Sequence, residues 1–146
     1  MPNIQFAPLR WNYYKACRRL FEELFNITEH RHFAAEWADR CEKRSFVALC
    51  YEAVVGFILV DSTNSIRYIC VSKAFQNEKI GSKLLTYVFD SCRDERAIHL
   101  VAADNEWLMD WYKRYGFRVT HIHRDKGGEF EGADMVRRQR SRAGKN

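Results

Sequence analysis

The chain has 146 residues, 47% of them hydrophobic and 14% aromatic, which is enough for the core of one domain and excludes a disordered protein. The net charge of +5 would suit a nucleic-acid binder, but Arg137, Arg138, Arg140, Arg142 and Lys145 crowd the C-terminal end; without them 19 basic residues face 19 acidic ones, so the body carries no overall basic field. No apolar run approaches the ~20 residues of a bilayer span, Met1–Arg10 lacks the layout of a secretion signal, and Cys17, Cys41, Cys50, Cys70 and Cys92 form no CxxC pair, which together imply a reducing cytoplasmic location, the nucleus included.

One domain is expected over 4–138, followed by a basic, flexible tail over 139–146. Ile4–Pro8 reads as a first strand. Asn12 is placed to cap a helix in which Tyr13, Tyr14, Cys17, Leu20, Phe21, Leu24 and Phe25 recur at helical spacing. Thr28 is placed to cap a second helix carrying Phe33, Trp37 and Cys41. The period then shortens. Ser45–Tyr51 and Val54–Asp61 read as strands joined by a tight turn at Glu52-Ala53. Val54–Val60 is apolar enough for burial on both faces. After a polar turn at Asp61–Asn64, Ser65–Val71 is a further strand.

Gly81–Cys92 reads as a helix with Leu84, Leu85, Val88, Phe89 and Cys92 on one stripe. Ala97–Ala103 follows as a strand, then a helix over Glu106–Tyr115 that Gly116 should end. Phe117–His123 and Ala133–Arg138 are the last strands, with a glycine-bearing loop between them. The order predicts a mixed α/β (α+β) fold, with the strands on either side of the Gly81 helix parallel.

The stretch Ile69-Cys70-Val71 to Gly81-Ser82 carries the chemistry. A strand enters a polar loop, and the loop opens a helix. Unpaired N–H groups and the positive dipole end at a helix start attract phosphate. Lys73, Lys79 and Lys83 add charge. An ordinary strand–helix connection has the same outline, so this segment alone leaves both readings open.

Gln76-Asn77-Glu78-Lys79-Ile80-Gly81 resembles the R/Q-x-x-G-x-G/A signature of the GNAT superfamily of N-acetyltransferases, with Lys79 in place of the first glycine. A second pattern of that superfamily, N-x(6)-Y-x-x-x-G-F, resembles Asn105, Tyr112, Gly116 and Phe117 at each spacing. Val54-Val55-Gly56-Phe57-Ile58 is similar to its third strand. The resemblance spans about Ile4–Arg138. It implies a central, splayed sheet of about six or seven strands flanked by about four helices. It further implies transfer of acetyl from acetyl-CoA to an amine, by direct attack through a tetrahedral intermediate.

The resemblance also implies roles. The pantetheine arm would add to the strand edge at Ile69, Cys70 and Val71. The amides of Gln76, Asn77, Glu78, Lys79, Ile80, Gly81 and Ser82 would hold the pyrophosphate. An N–H near Val71 would face the developing oxyanion. Asn105 would bond the cofactor arm, and Tyr112 would protonate the leaving thiolate. From the residues alone, Tyr112 could be a packed aromatic and Asn105 a helix cap. If Lys79 must take a positive φ, it costs on the order of 1–2 kcal/mol relative to glycine; its side chain could instead contact phosphate.

No single general base is compelled. Asp104, Tyr68 and Asp61 are candidates, and a water chain would serve. His121 and His123 share a strand face, and His30 and His32 flank Arg31, but neither pair has a third ligand, so no metal is expected. Asp125, Glu129, Glu131 and Asp134 could draw in a cationic amine, or form a solvated hairpin tip. The implied partner is an amine acceptor, small molecule or protein, with no membrane and no nucleic acid; monomer and dimer stay open. The competing classes are a catalytically silent CoA- or partner-binding module of the same fold and a nucleic-acid-associated protein using the tail.

Overall fold

Among the described residues, seven strands and four α-helices follow in the order β1 (Ile4–Pro8), α1 (Tyr14–Phe25), α2 (Arg31–Ala38), β2 (Phe46–Cys50), β3 (Ala53–Val60), β4 (Ser65–Val71), α3 (Ile80–Ser91), β5 (Ala97–Ala103), α4 (Glu106–Arg114), β6 (Arg118–Arg124) and β7 (Phe130–Arg138). This computed structural model describes residues 3–25, 31–92, 97–103 and 106–139. The strand order is β1-β2-β3-β4-β5-β7-β6. β4 and β5 are parallel, as the intervening helix requires. The β1–β2, β2–β3, β5–β7 and β6–β7 pairs are antiparallel. The mixed α/β fold is therefore the one the sequence predicts.

The chain forms two compact units, one of Met1–Thr63 with Arg67–Ser91 and the other of Asn64–Ile66 with Cys92–Asn146. In the first, alternation along the strands sorts two cores. Val47, Phe57, Leu59 and Cys70 meet Cys17, Leu20 and Phe21 of α1 and Phe33 and Trp37 of α2. On the opposite face, Phe6 stacks on Tyr87 of α3 and Phe46 meets the same ring at a tilt, and Ile80, Leu84, Leu85 and Val88 of α3 are buried. β3 lies between these layers, and Val55 through Val60 are all buried. Its near-unbroken apolar run is thus explained by burial on both faces.

Several local expectations shift. Asn12 lies inside a short 3₁₀ turn, Trp11–Tyr13, whose N-cap is Arg10 without a side-chain cap bond. α2 ends at Ala38, so Cys41 is outside it. There Arg40 takes over: it donates to the carbonyls of Trp37 and Leu9 and lies 4.7 Å from the Trp37 ring centre. The β2–β3 turn is Tyr51-Glu52, with φ of 48° and 73°, the two positive values a type I′ hairpin demands. Lacking an Asn-Gly pair, the sequence did not mark which residues would turn. Thr28 and residues 140–146 lie outside the described residues.

In the second unit β7 pairs with β5 from Ala97↔Arg138 to Ala103↔Gly132, and β6 pairs along its other side. β7 starts at Phe130, three residues earlier than the glycines suggested. Asn64, expected as a plain turn residue, is buried; its side chain donates to the Ala97 carbonyl and accepts from Cys92, and its own carbonyl accepts from the His99 N–H. Arg137 and Arg138, counted above with the basic end, belong to β7.

Gly56 sits where β3, β4 and α3 come close together. A Cβ there would sit 3.0 Å from the Cys70 carbonyl oxygen and 3.3 Å from Ile80 Cγ2. Gly56→Val should cost about 1–3 kcal/mol by overpacking, read as a lower Tm in scanning calorimetry; an unchanged Tm would refute the close approach.

Candidate functional site

β4 leads into the loop. Ser72 N–H donates to the Val55 carbonyl at 2.8 Å. Because successive amides of an extended strand point to opposite edges, the N–H and carbonyl groups of Ile69 and Val71 point away from β3. The Val71 carbonyl is met by Gln76 Nε2 at 3.1 Å. Gln76 therefore folds back on the end of β4, and Ile69, Val71 and Gln76 are brought together at one strand edge. The parallel ladder to β5 comprises Ser65↔His99 and Ile66↔Leu100, at the start of β4.

Lys73–Glu78 form a 3₁₀ helix, long for its type. Lys79 ends it with φ 58° and ψ 26°, a left-handed conformation. That conformation costs an L-residue on the order of 1–2 kcal/mol. The Lys79 carbonyl accepts the Lys83 N–H, the first bond of α3. No acidic residue occupies the first turn of α3. Its positive end is thus left without an internal counter-charge in that turn. Gly81 and Ser82 are half-buried in this turn, and Ile80 is buried against Gly56. Amides from the 3₁₀ helix and the first turn of α3 are therefore clustered beside a short, cationic stretch.

In the second unit Tyr112 is 5% exposed. It belongs to the stop of α4. The Gly116 N–H donates to Lys113 O and the Phe117 N–H to Tyr112 O, with Gly116 at φ 93°. These two bonds and the positive φ define a Schellman motif. The Tyr112 and Phe117 rings meet at 5.6 Å, the apolar contact that accompanies such a stop. Arg137 Nε adds a bond to the Tyr115 carbonyl. The Tyr-x-x-x-Gly-Phe spacing is therefore also the spacing of a helix terminator. Asn105 and Asp104 lie outside the described residues.

The remaining candidates are engaged. Asp61, 1% exposed, receives Arg67 Nε at 2.6 Å and both the N–H and hydroxyl of Thr63. Tyr68 donates to Glu36 of α2, which also lies 3.4 Å from Arg67 Nε. No motif or spacing marked the Tyr68–Glu36 pairing. Burial, then that hydrogen bond, holds the Tyr68 phenol above its ordinary range, so at neutral pH it donates and does not act as a base. Burial likewise pushes up the Cys17 and Cys70 thiols.

His121 and His123 have ring centres 4.7 Å apart, and His123 meets Asp134 at 2.8 Å. Among the described residues, no group of three His, Cys, Asp or Glu side chains is placed to hold a metal. Asp125 accepts the N–H groups of Gly127 and Glu129, closing the β6–β7 turn, while Glu129 and Glu131 are exposed. A groove of about 500 Å³ runs along α1 beside Ala53 and Val54. The groove reaches Ser72, between the end of β4 and the 3₁₀ helix that leads to α3.

The model of the acetyltransferase (GNAT) family matches residues 11–117. Similar solved structures include the ribosomal-protein-S18-alanine N-acetyltransferase of Escherichia coli, with TM-score 0.80, 18% identity, and coverage of 99% of this chain and 98% of that one. Arabidopsis thaliana Naa50, solved with the bisubstrate analogue CoA-Ac-MVNAL, gives TM-score 0.76 at 19% identity over 92% of this chain and 97% of that one. Thermoplasma volcanium Ard1 gives 0.72 at 20% identity over 94% and 99%. No curated protein sequence matches.

The raised thiols and phenol set a pH dependence. Each binds its proton more tightly folded than unfolded, so its contribution is complete below the ordinary pKa and is lost as pH rises beyond it. The loss should begin near pH ~8.5 for the thiols and ~10 for the phenol. Thermal melts between pH 7.5 and 10.5 should show a falling Tm, with Tyr68→Phe flattening the upper part of the curve. A Tm level across that range would contradict the burial of these groups.

Proposed function

The chain belongs to the GNAT family of acetyltransferases, and from that premise we propose which residues carry the reaction. The enzyme transfers acetyl from acetyl-CoA to an amine. The Gln76–Ser82 amides bind the pyrophosphate, where 3₁₀ helix and α3 meet. The edge at Ile69, Cys70 and Val71 takes the pantetheine amides as an added strand. The Val71 N–H faces the acetyl oxygen and stabilises its developing charge. Asn105 bonds the cofactor arm.

The single observation that carries this reading is the turn from β4 into α3. Gln76 closes on the Val71 carbonyl, and α3 opens with no acid in its first turn. These residues fit the diphosphate and amide chemistry of the acyl donor. No helix among the described residues is long and apolar enough to cross a membrane. A reducing compartment, the cytoplasm, is the proposed location; five free cysteines, three of them buried, suit it.

Tyr112 is assigned the acid. The acceptor nitrogen forms a bond to the acetyl carbon, the carbon–sulfur bond breaks, the phenol proton goes to the departing thiolate, and the proton lost by the nitrogen returns through water to the phenolate. The acceptor must arrive neutral, since an alkyl amine with pKa ~10.4 is otherwise protonated. The acceptor class is a primary amine, and peptide N-termini head the candidates. The Escherichia coli enzyme is named for an N-terminal alanine, and the Naa50 complex carries a peptide-based analogue.

Tyr112→Phe keeps the ring contact with Phe117, so the helix stop should survive. Thiol release with acetyl-CoA and a panel of peptide, lysine and polyamine acceptors should then show kcat reduced on the order of 100-fold or more. KM for acetyl-CoA should change little. Unchanged kcat would remove Tyr112 from the mechanism and leave it as the helix terminator alone.

A further inference from the structure

We propose that the Lys79 side chain binds a phosphate of the acyl donor, in the place where the family pattern carries glycine. The proposal rests on the reading of Gln76–Ser82 as the cofactor loop and adds a side-chain contact to its amides. Lys79 combines three features that are each unfavourable for a free helix start. It holds a left-handed φ of 58°, which a β-carbon disfavours. It places a cation at the positive end of α3, just before Ile80. Its position is one that Ser, Thr, Asp or Asn would cap.

Among the described residues, no ion pair offsets these costs. The first turn of α3 holds no acid. Lys79 is exposed. Glycine would satisfy the backbone without strain. A phosphate changes the sign of the electrostatics. Placed at the α3 amides, a dianionic group would be attracted by both the helix end and the ammonium, and the lysine would become the favourable residue. Lys79 immediately precedes the first turn of α3, whose amides would hold the phosphate. A lysine acts here as a point charge on a flexible stem, which suits either the pyrophosphate or the 3′-phosphate of CoA.

A merely strained Lys79 and a phosphate-binding Lys79 predict opposite responses to glycine. Wild type, Lys79→Gly, Lys79→Asn and Lys79→Arg would be compared by Tm without ligand and by calorimetric titration with acetyl-CoA, CoA and dephospho-CoA. The expected result is a higher Tm for Lys79→Gly together with weaker acetyl-CoA binding, on the order of tenfold at low salt. Lys79→Asn, neutral and tolerant of the left-handed region, should weaken binding similarly, and Lys79→Arg should retain it. The difference from wild type should shrink at ~0.5 M salt. Loss of the effect with dephospho-CoA would assign the contact to the 3′-phosphate; an equal effect with both ligands would assign it to the pyrophosphate. Binding by Lys79→Gly as tight as wild type, with the gain in Tm, would overturn the proposal while leaving the cofactor loop in place. Failure of wild type to bind acetyl-CoA would overturn the loop assignment itself.

Discussion

At Gly56 three pieces of the first unit meet: the middle of β3, the Cys70 carbonyl of β4 and the side chain of Ile80. A β-carbon there would lie 3.0 Å from that oxygen, tighter than an ordinary contact. Because β3 carries no side chain there, α3 can begin directly against the strand layer. The helix start is then tied to the end of β4 through the short 3₁₀ helix. The Gln76 bond to the Val71 carbonyl closes the same corner from the other side. The amides to which phosphate binding is assigned are thus positioned by packing, and the position of the loop follows from that missing β-carbon.

The second unit shows how one spacing can have two causes. Tyr112, Gly116 and Phe117 are spaced as the family pattern has them, and they are also spaced as a Schellman stop requires. Tyr112 supplies the terminal carbonyl and half of the apolar contact, Gly116 the positive φ, and Phe117 the closing N–H. A residue built into a helix stop is held firmly, which is useful for a proton donor. Its spacing alone therefore does not separate structure from catalysis; the reaction assigned to it rests on the family and on the chemistry of a phenol.

Polar side chains lock the units where apolar patterning is silent. Asn64 links the turn after β3 to the start of β5 and to Cys92. Arg137 secures the end of α4, so it is a structural cation and not part of a free tail. Arg67 holds Asp61 and approaches Glu36, which removes Asp61 as an open base. In each case the partner is many residues away, and neither residue type nor local spacing identifies it.

Periodicity by itself determined most elements: the stripe Leu84-Leu85-Val88 of α3, the twice-buried run of β3, and the glycine that ends α4. These depend on local geometry, because side chains repeat every 3.6 residues in helices and every two in strands. The loop after β4 was legible for the same reason, as a strand-to-helix change at a fixed place. Tertiary structure alone decided that the β2–β3 turn is Tyr51-Glu52, that Lys79 is left-handed, and that Tyr68 and Asp61 are already partnered. Those outcomes depend on register and on what lies across the fold. Local sequence constrains which conformations are affordable, but long-range packing selects among them.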